Sequence, residues 1–420
     1  MPVGATALRR RYVLLTGLRW LPVGFTTPLL VLLQLSRGLT LGQVGITMAC
    51  FGATTALLEL PTGGLADAVG RRPVLVASSV LGIVVFGLML VADGLGLWIA
   101  IKLLAGAARA LDSGPLEAWY VDEVRRLDPG ADIRQGLSRG HAVEGVGLGS
   151  SAVAGGLLPV AFGGSFNAAV VAALAAQCLH LAGLLVLMTE HRTFDRGALA
   201  RATLQVPAVI RAGLAVGMGR GPVSWLLCGS AVWGVALVGI ELLWQPRFTD
   251  LLGTRSETGP LGFLMAGAFL AAAAGSAMAP RLALLVGGGT SHSAMACTLA
   301  QAAVYMALAA AGSFAMAAPA FVIVYLLNGA RGPFHHELLH EHVAAEQRTT
   351  MLSAASLSLM AGGLVTSLTL PALEGVAGIP WTWALVAAVL ATSSLLYLWI
   401  PDRPAPIAPF EPEPERVAVD

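Results

Sequence analysis

Ionisable side chains recur inside the apolar stretches of this 420-residue chain. In hydrocarbon each costs at least a few kcal/mol unless it faces protein or water. The densest run is Lys102, Arg109, Asp112 and Glu117, closed by Asp122. Arg109 and Asp112 are three apart, a spacing that lets two side chains on one helix face pair. Ser113-Gly114-Pro115 then interrupts the helix, because proline lacks a backbone donor and clashes one turn back. Two readings stay open: a charged, broken helix lining a central cavity, or a self-neutralised structural pair. Arg19 lies about 12 Å along the helix from Arg11 at 1.5 Å per residue, beside Trp20, where stacking or anion binding is the expected chemistry. Asn328 and Arg331 are expected at a comparable depth in the second half. Either arginine faces a pocket for polar or anionic solutes, or is neutralised by Asp112 or Glu241. Glu59, Asp112, Glu117 and Glu241 are the candidates for taking up and releasing a proton. Asp112 reads more as a partner of Arg109, and Glu59 or Glu241 more as titrating sites.

Covalent and metal chemistry find no comparable support. Cys50, Cys178, Cys228 and Cys297 are scattered through apolar segments with no ligand spacing. His335, His336, His340 and His342, with Glu337 and Glu341, read as solvated loop histidines that respond to pH. The four-residue step from His336 to His340 leaves metal binding as the alternative. No nucleophile–base constellation or phosphate-binding loop is present. The expectation is therefore a chain that is not an enzyme, holds no cofactor or metal, and has no nucleic-acid partner.

Those charges need elements to hold them, and composition says which. The chain is 56% hydrophobic and 12% charged, about half the charged fraction of a soluble domain. It reads as an all-α integral membrane protein. Arg9-Arg10-Arg11 precede an apolar run that continues past Arg19 without a small-residue cleavage site, so this is an uncleaved first span. At about 20 apolar residues per crossing, twelve transmembrane helices are predicted. The first six are Tyr12–Leu35, Leu41–Thr62, Pro73–Ala92, Leu97–Val121, Gly136–Phe162 and Phe166–Met188. The second six are Val223–Trp244, Gly259–Ala279, Ser293–Gly312, Ala315–His335, Thr349–Pro371 and Pro380–Ile400. With both termini inside, Arg9–Arg11, Arg71, Arg72, Arg125, Arg126, Arg134, Arg139 and the linker arginines are cytoplasmic. Arg37, Arg247 and Arg255 alone lie in outer loops. That asymmetry follows the positive-inside rule and predicts a multi-pass inner (plasma) membrane protein with cytoplasmic termini.

The longest connection divides the chain into a bundle over 1–189, a basic linker over 190–222, a second bundle over 223–400 and a tail over 401–420. Leu199, Leu204, Val206, Val209, Ile210 and Leu214 give the linker an apolar stripe suited to an interfacial helix. Alternating prolines and glutamates make the tail, from Asp402 onward, a segment expected to be disordered. The halves echo one another. Ala107-Ala108-Arg109 with Pro115 matches Gly329-Ala330-Arg331 with Pro333, and Arg134 with Ser138 matches Arg348 with Ser353. Two pseudo-symmetric six-helix bundles are the expected architecture.

Between the second and third spans, Gly63-Gly64-Leu65-Ala66-Asp67-Ala68-Val69-Gly70-Arg71-Arg72 is read as a short polar turn. It resembles the signature loop of the major facilitator superfamily, G-x-L-A-D-x-x-G-R-R/K. Gly63, Leu65, Asp67, Gly70, Arg71 and Arg72 match, and Ala68 replaces a frequent basic residue. The resemblance implies a cytoplasmic latch that holds the halves together when the transporter faces outward, with Asp122 completing its charge network. Lys102-Leu103-Leu104-Ala105-Gly106 resembles the family's R-x-x-Q-G proton-transfer motif, with two substitutions; Lys102 at the outer interface is the alternative. Gly147 to Gly156 resembles the antiporter motif G-x-x-x-G-P-x-x-G-G, with Ser151-Ala152 in place of Gly-Pro. Gly147, Gly155 and Gly156 are expected to form a helix-packing face. With Glu59-Leu60-Pro61-Thr62-Gly63 and Ser113 to Trp119, the chain resembles a bacterial efflux-type branch. The resemblance implies a monomeric, proton-coupled secondary transporter working by alternating access in the lipid bilayer, exporting a small-molecule substrate. An uptake permease of the same fold and a non-transporting membrane sensor are the alternatives.

Overall fold

The computed structural model describes residues 4–190, 219, 221–254, 257–343 and 348–402. The predicted interfacial helix of the linker, Arg255 and the tail beyond Asp402 lie outside the described residues. Apolar helices and short turns account for nearly all of the described chain. The first half contains α1 (Ala5–Thr26), α2 (Leu30–Ser36), α3 (Leu41–Val69), α4 (Arg71–Val91), α5 (Gly94–Asp112), α6 (Pro115–Leu127), α7 (Arg134–Ala161) and α8 (Asn167–Leu187). The second contains α9 (Pro222–Leu252), α10 (Gly259–Val286), α11 (Thr290–Ala310), α12 (Phe314–Glu341) and α13 (Arg348–Ser394).

Several predicted spans are not single straight helices. Pro28 interrupts the first, so α1 and α2 meet at a 42° bend. The fourth is broken between Asp112 and Pro115, which separates α5 from α6. The last two predicted spans run together in the 47 residues of α13, a length of about 70 Å at 1.5 Å per residue, more than twice a bilayer core. Gly378 divides it, with φ 81° and ψ 165°, a conformation that residues with a Cβ rarely adopt. Counting each bent pair once and α13 twice gives twelve crossings among the described residues.

The predicted turn after Thr62 is instead helical. Residues 63–69 continue α3, and the chain reverses at Gly70 alone, with φ 100°. The polar composition of 63–72 imitates a loop, yet seven of its residues keep their backbone hydrogen bonds by extending the helix beyond the apolar zone.

Packing distinguishes the two ends. One end carries Arg37, in the turn after α2, and Arg247, which lies within the last turns of α9 and not in the loop expected from the sequence. There one core takes residues from both halves: Leu32, Val44, Trp98 and Ala152 join Trp244, Phe248, Leu261 and Phe321. At the arginine-rich end the cores are separate. Leu15, Leu75 and Trp119 belong to the first half; Leu226, Phe334 and Leu338 belong to the second. Small residues permit the joint. A Cβ on Gly156 would meet the Gly262 Cα at 2.7 Å and the Thr258 carbonyl at 2.8 Å, so α7 and α10 touch backbone to backbone. Gly147 and Gly155 of the same helix pack instead on α1, against the backbones of Gly17 and Phe25.

Candidate functional site

In the first half, the broken fourth crossing presents its charges to α1 and α3. Arg19 Nε donates to Asp112 Oδ2, and its Nη2 reaches the Asp112 carbonyl at 2.9 Å. The expected Arg109–Asp112 pair is therefore replaced by a pair between helices. The helix ends at Asp112, so its carboxylate and free carbonyl both turn to the guanidinium. Arg109 is left exposed, with its guanidinium 5.7 Å from the Trp20 ring; Arg19 approaches the same ring at 5.1 Å. Two cations thus share one aromatic ring. Glu59 Oε1 accepts from Ser113 Oγ at 3.0 Å, and Thr62 Oγ1 donates to the Ala110 carbonyl at 2.9 Å. One hydroxyl and one carboxylate of α3 thereby meet backbone and side chain at the break. Glu117 is exposed one turn beyond. Lys102 is buried 5.9 Å from the Phe51 ring; it does not reach an interface, because its helix packs on α3 at that level.

The second half repeats the tryptophan but not the charge balance. Trp233 of α9 donates to Asn328 Oδ1 and stands 5.2 Å from the Arg331 guanidinium. Arg331 is 0% exposed. Its Nη2 donates to the Gly229 carbonyl at 3.0 Å and to Tyr397 Oη at 3.2 Å. No carboxylate pairs with it among the described residues. Glu241, considered as its neutraliser, instead accepts from Tyr325 Oη.

His335 is not a solvated loop residue. It is buried in α12, 2.8 Å from Ser230 Oγ and 3.1 Å from Tyr397 Oη. His336 and His340 remain exposed on the same helix. No group of three metal-capable side chains forms among the described residues.

At the arginine-rich face, Arg71 Nη1 pairs with Asp122 Oδ2 at 2.5 Å. Sequence reading missed the other acceptor there. Glu190 takes the backbone N–H groups of Arg71 and Arg72 at 2.7 and 2.8 Å, capping the start of α4 with a carboxylate. A Cβ on Gly70 would sit 2.8 Å from that carboxylate. Leu65 is half-buried and Asp67 exposed along the last turn of α3. Asp402, assigned by sequence to the tail, accepts from Ser291 N at 2.6 Å and so caps α11.

The opposite end holds a second feature that no motif announces. Gln245 of α9, 2% exposed, inserts into the bend of the other half. Its Oε1 accepts from the N–H groups of Val31 and Leu32 at 2.9 and 3.3 Å, and its Nε2 donates to the Thr27 carbonyl at 2.9 Å. Pro28 frees those backbone groups and the glutamine satisfies them. Thr258 Oγ1 adds a bond to the Gly156 carbonyl at 2.6 Å. Among pairs of described residues, these are the hydrogen bonds that cross between halves.

Solved structures share the overall fold. The nucleoside transporter NupG superposes with a TM-score of 0.73 at 12% identity, covering 94% of this chain and 98% of that one. A POT family transporter in complex with a thioalcohol-conjugated peptide gives 0.69 at 13% identity, with 93% and 95% covered. The human organic anion transporter MFSD10 gives 0.64 at 16%, with 94% and 100% covered. No family model and no curated protein matches the chain. At these identities the likeness establishes the fold, two six-helix bundles of the major facilitator type, over nearly the whole chain.

Proposed function

We infer that this chain is a secondary active transporter working by alternating access, exporting a small organic compound in exchange for protons. One observation carries the reading: two helical halves share a single core at one end and keep separate cores at the other. A solute site between such halves is reached from the divided side, and rocking about the joint would move access across. With the arginine-rich end assigned to the cytoplasm of a plasma-membrane protein, this conformation faces inward. Residues 1–189 and 223–400 are the moving bodies and 190–222 the tether.

Within that reading, Trp20 and exposed Arg109 form the solute-facing surface, and Arg19–Asp112 fixes the broken helix behind them. Asn328 orients Trp233, with Arg331 packed beneath. Glu59 and Glu241, the carboxylates held by a hydroxyl and not by a guanidinium, are the proton carriers; Lys102 and Glu117 lie along the same helical crossing. Gly63, Leu65, Asp67, Gly70, Arg71, Arg72 and Asp122 form the inner latch. Uptake by the same machinery is the second reading, favoured by the Ser151-Ala152 replacement in the fifth crossing.

A ligand-induced thermal-shift screen on the purified protein, followed by flux of each hit in inverted vesicles with and without a proton gradient, tests this. Arg109→Ala is expected to abolish the shift. A hit that stabilises Arg109→Ala as much as the parent overturns the pocket assignment. Accumulation in whole cells in place of gradient-driven filling of inverted vesicles selects uptake.

A further inference from the structure

A groove of about 490 Å³ runs between α1 and α7 at the arginine-rich end, lined by Val13, Leu14, Leu18, Leu21, Val143 and Val146. Arg9, Arg10 and Arg139 stand at its mouth. It is separate from the solute-facing surface. Leu14 and Trp20 are six residues apart, so they lie about 120° apart around α1 at 3.6 residues per turn. Gly17 and Gly24, packed on Val143 and Ser151 of α7, separate the two flanks. Leu14 is 51% exposed and Val146 66% exposed, as befits side chains that meet lipid and not a protein neighbour.

Its dimensions select an occupant. From Arg10 to Leu21 along α1, and from Arg139 to Ser150 along α7, each wall extends about 16 Å at 1.5 Å per residue. That is about half of a 30 Å hydrocarbon core, the depth reached by one leaflet's acyl chain. The walls are apolar throughout that depth, and Ser150 at the far end spends its hydroxyl on the Val146 carbonyl. The mouth is cationic and uncompensated. Arg10 and Arg139 are exposed and pair with no carboxylate among the described residues. Arg9 is held by Gln135, while its Nε is buried without a partner. Guanidinium groups bind phosphate through paired donors, and a basic rim at this level of a membrane attracts anionic headgroups.

We propose that this groove is a binding site for one anionic phospholipid, its phosphate held by Arg10 and Arg139 with Arg9 behind them and one acyl chain lying along Leu14, Leu18 and Val146. The lipid bridges α1 and α7, the helix that also carries the joint to the second half at Gly156. Occupancy of the groove therefore stiffens the pair that must move as one body.

Native mass spectrometry of the full chain, titrated with dioleoylphosphatidylglycerol or dioleoylphosphatidylcholine in micelles, provides the test. The parent should retain one phosphatidylglycerol that phosphatidylcholine does not displace. Replacing Arg10→Gln and Arg139→Gln together should weaken its retention about thirtyfold, at about a factor of five for each arginine near a headgroup. Arg125→Gln, on the same face but away from the groove, should leave retention unchanged. Leu14→Trp, which fills the groove and keeps every arginine, should also release the lipid. Equal retention by the double variant overturns the site. Loss in Arg125→Gln to the same degree, full retention by Leu14→Trp, or displacement by inorganic phosphate alone shows diffuse charge attraction and overturns the groove as its seat.

Discussion

At the arginine-poor end the two halves meet through neutral groups: a glutamine amide against backbone, a threonine hydroxyl against a carbonyl, and Gly156 against Gly262. At the arginine-rich end the polar contacts that organise the first half are charged and do not reach the second: Arg71 with Asp122, and Glu190, at the start of the linker, with the start of α4. The difference has a physical logic. A neutral hydrogen bond exchanged for water changes the free energy by only about 1 kcal/mol, so a joint made of such bonds can part and re-form. A carboxylate capping a helix start or bridging two helices instead keeps a rigid body rigid while it moves. The joint is cheap to open because it is neutral, and tight when closed because it is small.

The most severe way to break this contrast is Gly156→Leu. The new side chain meets the Gly262 backbone and the Thr258 carbonyl, neither of which can step aside, so the halves cannot close there. Transport should be abolished, and the distance between spin labels at Gly38 and Gly253 should lengthen. An unaltered distance would mean that α7 and α10 do not set the joint.

Gln245→Leu should act less completely. It removes three hydrogen bonds and leaves their backbone partners bare, a cost of about 2 kcal/mol, or a roughly thirtyfold shift in population. Hydrogen exchange at the Val31 and Leu32 amides should speed up while the arginine-rich end becomes better protected. Faster exchange at the first site without slowing at the second would reduce Gln245 to a local brace.

Glu190→Ala should cost about 1 kcal/mol through its unpaired Arg71 and Arg72 amides, lowering the melting temperature by a few degrees. The exchange of Val31 and Leu32 should not respond. Asp122→Asn should be the mildest, within about 1 kcal/mol, since Asp122 is half open to solvent and such pairs contribute little; its effect should vanish at high salt. A larger effect on conformational balance from Asp122→Asn than from Gln245→Leu would invert the comparison.

Much of this architecture is legible in the sequence because a bilayer enforces it. Apolar runs of fixed length, the breaks at Pro28 and Ser113-Gly114-Pro115, and the one-sided arginines are local quantities. Partner choice is not local. Arg109 and Asp112 have suitable spacing, yet the helix ends between them and the break, so Asp112 turns to Arg19 of another helix. Arg331 echoes Arg109 in sequence but is buried under Trp233, whereas Arg109 is exposed. His335 and His336 are adjacent and indistinguishable by composition; a rotation of about 100° per residue buries one against Tyr397 and leaves the other outside. Glu190 and Gln245 belong to no motif, because what each recognises is unpaired backbone more than a hundred residues away.

Sequence by itself determined that this chain crosses a membrane repeatedly, which end of each crossing gathers arginine, and that the chain divides into two related halves. Hydrocarbon solvates neither charge nor free backbone, so those outcomes are written in hydropathy and punctuation. Only the tertiary structure decided which end is sealed, which charges find partners, and which arginine is left exposed. Those outcomes depend on how helices lean on one another, and that is settled by the closest approach of backbones at positions such as Gly156 and by the few polar groups placed to meet across the gap.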